Sequence, residues 1–350
     1  MVRYCFFSQS NMSEFIQKLP KVELHMHIEG SMMPEMLLQL AEKNHVELAY
    51  KTLEDIEKAY QFKDLQEFIS LYIQGTEVIQ SAEDFYQLTS AYLDKCHAQN
   101  IMHTEIFCDI RTYTDRGLPA DMVLDGIEAG FKEGYKKYGI TGGMIGTFIR
   151  HLGAEKAAED WQFYKNHQNR LLGIGLAAVE VGFPASLFKD VFAEVQTSGL
   201  PIVAHAGEEG SADYIWSAIN DIKVDRIDHG IRCLDDPKLV EYLQQSQIPL
   251  TVCPCSNVSL HVFEHMNQHV ITKMMDLGLN VTINSDDPAH FGAYLNENME
   301  QVQMHCGITD AQLIRMTHNA IDASFAQTPR KIEMHLLLDE FDEGCEELLK

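Results

Sequence analysis

Short apolar runs, most of them closing on a polar or ionisable residue, alternate along this chain with longer stretches whose apolar positions recur every three or four residues. A run of four to eight apolar residues bounded by turn residues predicts a buried strand, and the longer recurrence predicts an amphipathic helix. Strands are predicted on that basis at 21–27, 102–108, 143–149, 171–178, 200–205, 225–229, 248–253 and 279–284. Helical spacing occupies 121–138, 154–168, 186–198, 211–220, 236–245 and 264–277. Pro237, just behind two aspartates, marks a helix start, and Gly278 marks a helix stop.

Strands separated by helices predict an α/β fold with a parallel sheet. A doubly wound open sheet fits the periodicity as well as a closed (β/α)8 TIM barrel does. The placement of polar residues favours the barrel. His25 and His27, His205, His229, and Asp286 with Asp287 all sit at the C-terminal ends of predicted strands far apart in the chain. Only a closed ring brings the ends of the first and last strands around one pocket. Residues 33–100 read as additional helices inserted after strand 1, and 309–350 as further helices at the C-terminus. No linker or repeat divides the sequence, so residues 1–350 are expected to form a single domain.

The charge narrows the classes of partner. With 27 basic and 52 acidic residues the net charge is −25. Such a surface repels phosphate backbones and anionic lipids, which argues against a nucleic-acid or membrane-surface partner. No stretch of 18 uncharged apolar residues predicts a membrane span. The start, MVRYCFFSQSNMSEF, lacks the apolar core and cleavage pattern of a secretory signal, and a cytoplasmic location is expected. The eight cysteines form no CxxC pair and read as reduced thiols buried in strands and helices, Cys253 and Cys255 among the strand residues.

The candidate chemistry lies at the strand ends. His25 and His27 are two apart on a strand, so they point to the same face and suit one metal ion, or else are two polar residues of a half-buried strand. In VAHAGEEG, 203–210, His205 closes an apolar strand and Glu208 can reach the pocket across the turn. Glu209 reads instead as an acid favouring the start of the next helix. RIDHG, 226–230, adds His229. In VTINSDDPAHFG, 281–292, Asp286 and Asp287 repel one another unless a cation or donor separates them, the alternative being a solvated turn.

Taken in order, HxHIEG, HAGEEG, RIDHG and SDDPAHFG resemble the adenosine/adenine deaminase family of mononuclear-zinc hydrolases. PKVELH, RHLGAEKA, IPLTVCPCSNV and YLNENM extend the match over nearly the whole chain. The Glu behind HxHI and the run SDDPAHFG resemble the adenine deaminase branch; adenosine deaminases usually carry Asp at the first place and TDDP at the second. The resemblance implies one zinc ion per chain, held by His25, His27, His205 and Asp286, with water completing the site. Zinc lowers the pKa of such a water to about 7 and supplies a nucleophile for C6 of a purine. Glu208 would protonate N1 and shuttle a proton to the departing ammonia, His229 would orient the nucleophile, and Asp287 would bind N7. Glu29 would lie at the sugar-side edge, taking the space of a ribose and accepting a ring N–H. The implied reaction is adenine to hypoxanthine and ammonia, a purine-salvage step. Adenosine or an N6-substituted adenine is the alternative substrate, and an inactive purine-binding barrel the alternative class. A homo-oligomer is compatible with all of this.

The nucleic-acid-type zinc deaminase pattern, H-x-E with P-C-x-x-C, is not met by VCPCSN. The third and fourth strand segments hold no Lys to bridge two metals, which favours one zinc. Two departures from the branch stand out. GLAAVEVG, 175–182, replaces a polar turn with Ala177, Ala178 and Val179, although Ala178 is still expected to lie against the N3/N9 edge of the purine and Glu180 to anchor the local network. FCDIRTYT, 107–114, stands where the branch resembles FFDPQxHT, so Arg111 and Tyr113 are substitutions. In 52–73, Phe62, Leu65, Phe68, Ile69 and Tyr72 recur at helical spacing and predict a packing face, with Phe62 a candidate for a water-excluding lid.

Overall fold

Eight strands, β1 Lys21–His27, β2 Ile101–Cys108, β3 Thr141–Ile149, β4 Gly173–Ala177, β5 Ile202–Ala206, β6 Arg226–His229, β7 Leu250–Val252 and β8 Val281–Ile283, pair in sequence order into one sheet. Every neighbouring pair from β1–β2 to β7–β8 is parallel. This computed structural model describes residues 13–60 and 65–348. The sheet curls back on itself, and an isolated parallel bridge joins Met26 of β1 to Asp286 just beyond β8. His27 N–H donates to Asp286 O at 2.8 Å and Asp286 N–H to His25 O at 3.0 Å. With only three residues in β8, side chains complete the seam. Leu24 N–H donates to Asn284 Oδ1 at 2.9 Å, and Ser285 N–H to Glu23 Oε1 at 2.8 Å. Glu23 lies wholly inside, and burial pushes its carboxyl up to about 8 against the opposing pull of Ser285. The α/β barrel expected from the sequence is thus the fold of the molecule, a (β/α)8 TIM barrel.

Strand alternation divides the core. Val22, Leu24 and Met26 join the large cluster between sheet and helices, whereas His25 and His27 flank Phe107 with ring centroids 5.1 Å away in each case. Phe107, Ile145 and Val203 form a separate small cluster inside the barrel. Beneath them Arg226, the first residue of β6, fills the interior. Its Nη1 donates to Glu105 Oε2 at 2.7 Å and its Nη2 to Leu24 O at 3.1 Å, and Phe325 lies 4.5 Å from the guanidinium. One end of the barrel is therefore stoppered by a paired, buried charge, and the other is left to histidines and acids.

Four helices, Pro34–Lys43, Leu53–Ala59, Leu65–Glu77 and Ala82–Ala98, form the insertion between β1 and β2, and Asp310–Ala323 and Thr328–Leu348 close the chain. Asp236 caps the helix Pro237–Ser246 through Lys238 N–H, as the position of Pro237 predicts. The helix predicted at 264–277 is instead the short turn Met266–Gln268 and the helix Ile271–Asp276. The break falls at His269, whose backbone is extended and whose ring Nδ1 accepts from Ile271 N–H at 3.1 Å, capping the second piece. Cys253 and Cys255 are not strand residues. β7 ends at Val252, and Pro254 starts the helix Pro254–Ser259, with Cys253 at its cap and Cys255 inside it.

Candidate active site

At the C-terminal mouth of the barrel, the alternation of β1 aims both imidazoles at one point. His25 Nε2 and His27 Nε2 each stand 3.3 Å from Asp286 Oδ1, and His27 Nε2 stands 3.1 Å from His205 Nε2. Ligands at the usual 2.0–2.1 Å from a tetrahedral zinc are about 3.3–3.4 Å from one another. Three of the six pairs among these four atoms stand at about that spacing, which suits a small cation, and His25 Nε2 has no hydrogen-bond partner among the described residues. The donor set therefore fits a single metal ion. Burial would lower the His27 pKa, but Asp287 and Asp286 raise it to about 9, a field that equally favours a bound cation.

The far sides of these rings are held. His25 Nδ1 lies 2.9 Å from Thr251 Oγ1, whose own hydroxyl donates to Asp228 Oδ1 at 2.8 Å. The Thr hydroxyl thus accepts the Nδ1 proton and leaves the Nε2 lone pair facing the site. Asp228 Oδ2 stands 3.3 Å from His205 Nδ1. Burial works against the charge on Asp228, yet His205, His25 and Arg226 hold its carboxyl well below the usual range. His205 itself is lowered to about 4 by burial, chiefly, and by His25 and His27, so it is neutral as a ligand must be. Arg150 Nη1 braces the same strand end, donating to His205 O at 2.6 Å. Asp228→Asn keeps the shape and removes the charge. It is expected to loosen zinc by about 10–100-fold, read by chelator competition, with the metal still one per chain at saturation.

Asp286 adopts a left-handed backbone, φ 64°, and its Oδ2 accepts from Ser256 Oγ at 2.6 Å, leaving Oδ1 to the histidines. Asp287 is also buried, and its Oδ1 has no partner among the described residues. Gly30 explains how it fits: a Cβ there would stand 2.1 Å from Asp287 Oδ1. The glycine of HxHIEG is thus a matter of close approach rather than of turn geometry.

Glu208 rides on a loop built around one acceptor. The backbone N–H groups of Gly207, Glu208, Glu209 and Gly210 all donate to the Glu180 carboxylate, at 2.5–3.1 Å. Because 207–210 wrap Glu180, the next helix starts only at Ala212 and its first-turn acid is Asp213; Glu209 does not serve it. Glu208 Oε2 lies 3.4 Å from His229 Nε2. Burial first, then Asp286 and Glu180, push the Glu208 carboxyl well above its usual range, which favours its protonated form. His229, at φ 67°, has neither ring nitrogen hydrogen-bonded among the described residues, and burial keeps it neutral. Ligand atoms of His25, His205, His229 and Asp286 lie within 4.8 Å of one another, as do those of His27, Asp286 and Asp287.

Residues 20–343 match the model of a family described as adenosine deaminase. A relative named adenine deaminase, from Crocosphaera subtropica, is 49% identical over 93% of this chain and 100% of its own length. The chain belongs to the adenosine deaminase family. Another relative of that name, from Ectopseudomonas mendocina, is 48% identical over 90% of this chain and 100% of its own. Among solved structures, an adenine deaminase from Arthrobacter aurescens superposes with a TM-score of 0.91 at 37% identity, covering 93% of this chain and 99% of that one. A Zn-bound amidohydrolase from Burkhoderia ambifaria shares the fold, with a TM-score of 0.88 at 23% identity, covering 98% and 97%.

Glu29 is buried, and its carboxylate accepts from Tyr113 and Tyr72. Ala178 is exposed at the end of β4 with φ 74°, a left-handed turn that its small side chain tolerates. Phe68 stacks on Phe291 at 5.2 Å, and Tyr60, Phe68 and Tyr72 surround His290, so Phe68 and Tyr72 pack as predicted. Phe62 lies outside the described residues. No described helix is long and apolar enough to cross a membrane. Asp228, Thr251, Ser256 and Arg150 escaped the sequence reading. For Asp228 a signal existed: on β6 it shares the inward face with Arg226, and it pairs with His205 in the register of β5 and β6.

Proposed function

We propose that this chain hydrolyses adenine to hypoxanthine and ammonia, with one zinc ion held by His25, His27, His205 and Asp286. The reading is carried by one juxtaposition: Glu208, its protonated form favoured by burial and 3.4 Å from His229, faces the convergent His–Asp shell beside Asp287, whose Oδ1 has no partner among the described residues. The names of the relatives supply the substrate. When bound, the metal supplies a nucleophile from water at neutral pH.

The residues do the rest. Glu208 donates its proton to N1 as the C6–N1 double bond opens to the incoming water, regains through His229 the proton that water loses, gives it to the 6-amino group, which leaves as ammonia, and takes the proton of the C6 hydroxyl as the C6–O double bond forms. His229, neutral and fixed at its left-handed turn, accepts from the attacking water and holds it toward C6. Asp287 gives its proton to a hydrogen bond with N7, and Glu29 accepts from the N–H at position 9. The wall of Phe68, Phe291 and His290 keeps bulk water from the reacting face. Water is consumed and ammonia released, so no other co-reactant is needed.

Incubating the zinc-loaded protein with adenine in ¹⁸O-water tests the reaction. One ¹⁸O in hypoxanthine and one equivalent of ammonia per adenine lost is the expected result; adenine left intact would remove the proposal.

A further inference from the structure

β2 ends at Cys108, and the chain passes at once into the four-residue helix Arg111–Thr114. Arg111 ties that turn to the helix Ala154–Asn166: its Nη2 stands 2.5 Å from Asp160 Oδ1 and 3.0 Å from Glu159 Oε2. Its Nη1 reaches Asp115 Oδ1 at 3.1 Å. A guanidinium bound to three carboxylates leaves the turn little freedom. The turn in turn presents Tyr113, fully buried, whose O–H donates to Glu29 Oε1 at 2.7 Å. Cys108 Sγ stands 3.3 Å from the same oxygen, and Tyr72 O–H donates to Oε2 at 3.2 Å. Arg111 and Tyr113, the two departures noted in FCDIRTYT, are therefore one device.

The two oxygens of a carboxylate offer about four acceptor positions, and Tyr113, Cys108 and Tyr72 leave one of them. Glu29 adjoins Gly30, which packs directly on Asp287. It therefore stands at the edge of the pocket that the reacting base would fill.

We propose that Tyr113 is a positioning residue that sets the preference of this site for a free purine base: with Tyr72 and Cys108 it holds Glu29 with a single acceptor position open, which takes the one imidazole-ring N–H of the base. This deepens the adenine reading above and rests on it. A purine alkylated at N9 has no such proton. It leaves a buried carboxylate position unpaired, which discriminates more strongly than the loss of an apolar contact.

The test compares adenine with 9-methyladenine, which blocks N9 at the smallest cost in bulk, on zinc-loaded parent, Tyr113→Phe and Tyr72→Phe proteins. In Tyr113→Phe the KM for adenine is expected to rise about tenfold, the size of one charge-assisted hydrogen bond, while kcat changes less than about threefold. The ratio of kcat/KM between the two purines is expected to shrink toward one, with zinc content and Tm at parental values. Tyr72→Phe acts on the other oxygen and shifts the ratio the same way, which keeps the test open should Tyr113→Phe fail to fold. A parental ratio in the variants that fold, or a loss in kcat with KM unchanged, overturns the assignment of Tyr113. A parent that leaves adenine untouched overturns the deaminase reading itself.

Discussion

Glu208→Gln is expected to keep one zinc per chain and to lower kcat on adenine by about 10³-fold. Gln fills the same volume and can offer an N–H toward N1, but it cannot give up a proton and take one back. None of the four proposed ligand atoms belongs to residue 208, and Glu180 holds the loop through backbone N–H groups that any side chain at 208 retains. Metal content and Tm should therefore stay at parental values while turnover collapses. Metal analysis beside single-turnover kinetics measures both. Near-parental kcat would take the proton-transfer role away from Glu208 and leave His229, 3.4 Å away, as its holder.

Asp286→Asn is the second large effect. Asn accommodates the left-handed backbone at φ 64° better than most residues, so the substitution removes a charge without adding strain. It can still accept from Ser256, which donates to Oδ2 in the parent at 2.6 Å. What it lacks is the anionic oxygen 3.3 Å from both His25 and His27. A zinc shell reduced to three neutral imidazoles is expected to lose its metal on dialysis and to drop activity by about 10³-fold or more. Stoichiometric zinc after dialysis, with activity intact, would move Asp286 out of the shell and point to His229 as the fourth ligand. That is the geometric alternative, since His229 also lies within 4.8 Å of His25, His205 and Asp286.

Which parts of the molecule were legible from sequence follows from the range of the interactions involved. β1 was readable residue for residue, because Leu24 and Met26 must face the helices if His25 and His27 face the barrel. The helix Asp121–Tyr138 was equally plain, its Gly139 cap at φ 71° closing a long amphipathic run. β7 and β8 came out at three residues each, shorter than their apolar runs, because Pro254 starts a helix behind one and the seam to β1 takes over from the other. The split at His269 depends on a side chain acting as a cap, which periodicity does not record.

The same distinction holds within the site. Histidines two apart on a strand, or at a strand end before a glycine turn, stand out in a sequence. Thr251 does not: its role exists only because His25, 226 residues earlier, comes within 2.9 Å of it across the barrel. Strand alternation puts Asp228 inside the barrel, whereas its neighbour His229 enters the site only through its left-handed turn. Arg111 and Tyr113 were visible as departures, but their joint action on Glu29 is a tertiary fact.

The most direct test of adenine deamination at this site is a side-by-side measurement of kcat/KM for adenine and adenosine on protein carrying one zinc per chain. A site that pairs a buried carboxylate with the ring N–H of a free base is expected to favour adenine by about 10²-fold or more. Adenosine turned over as fast as adenine, or faster, would contradict the assignment.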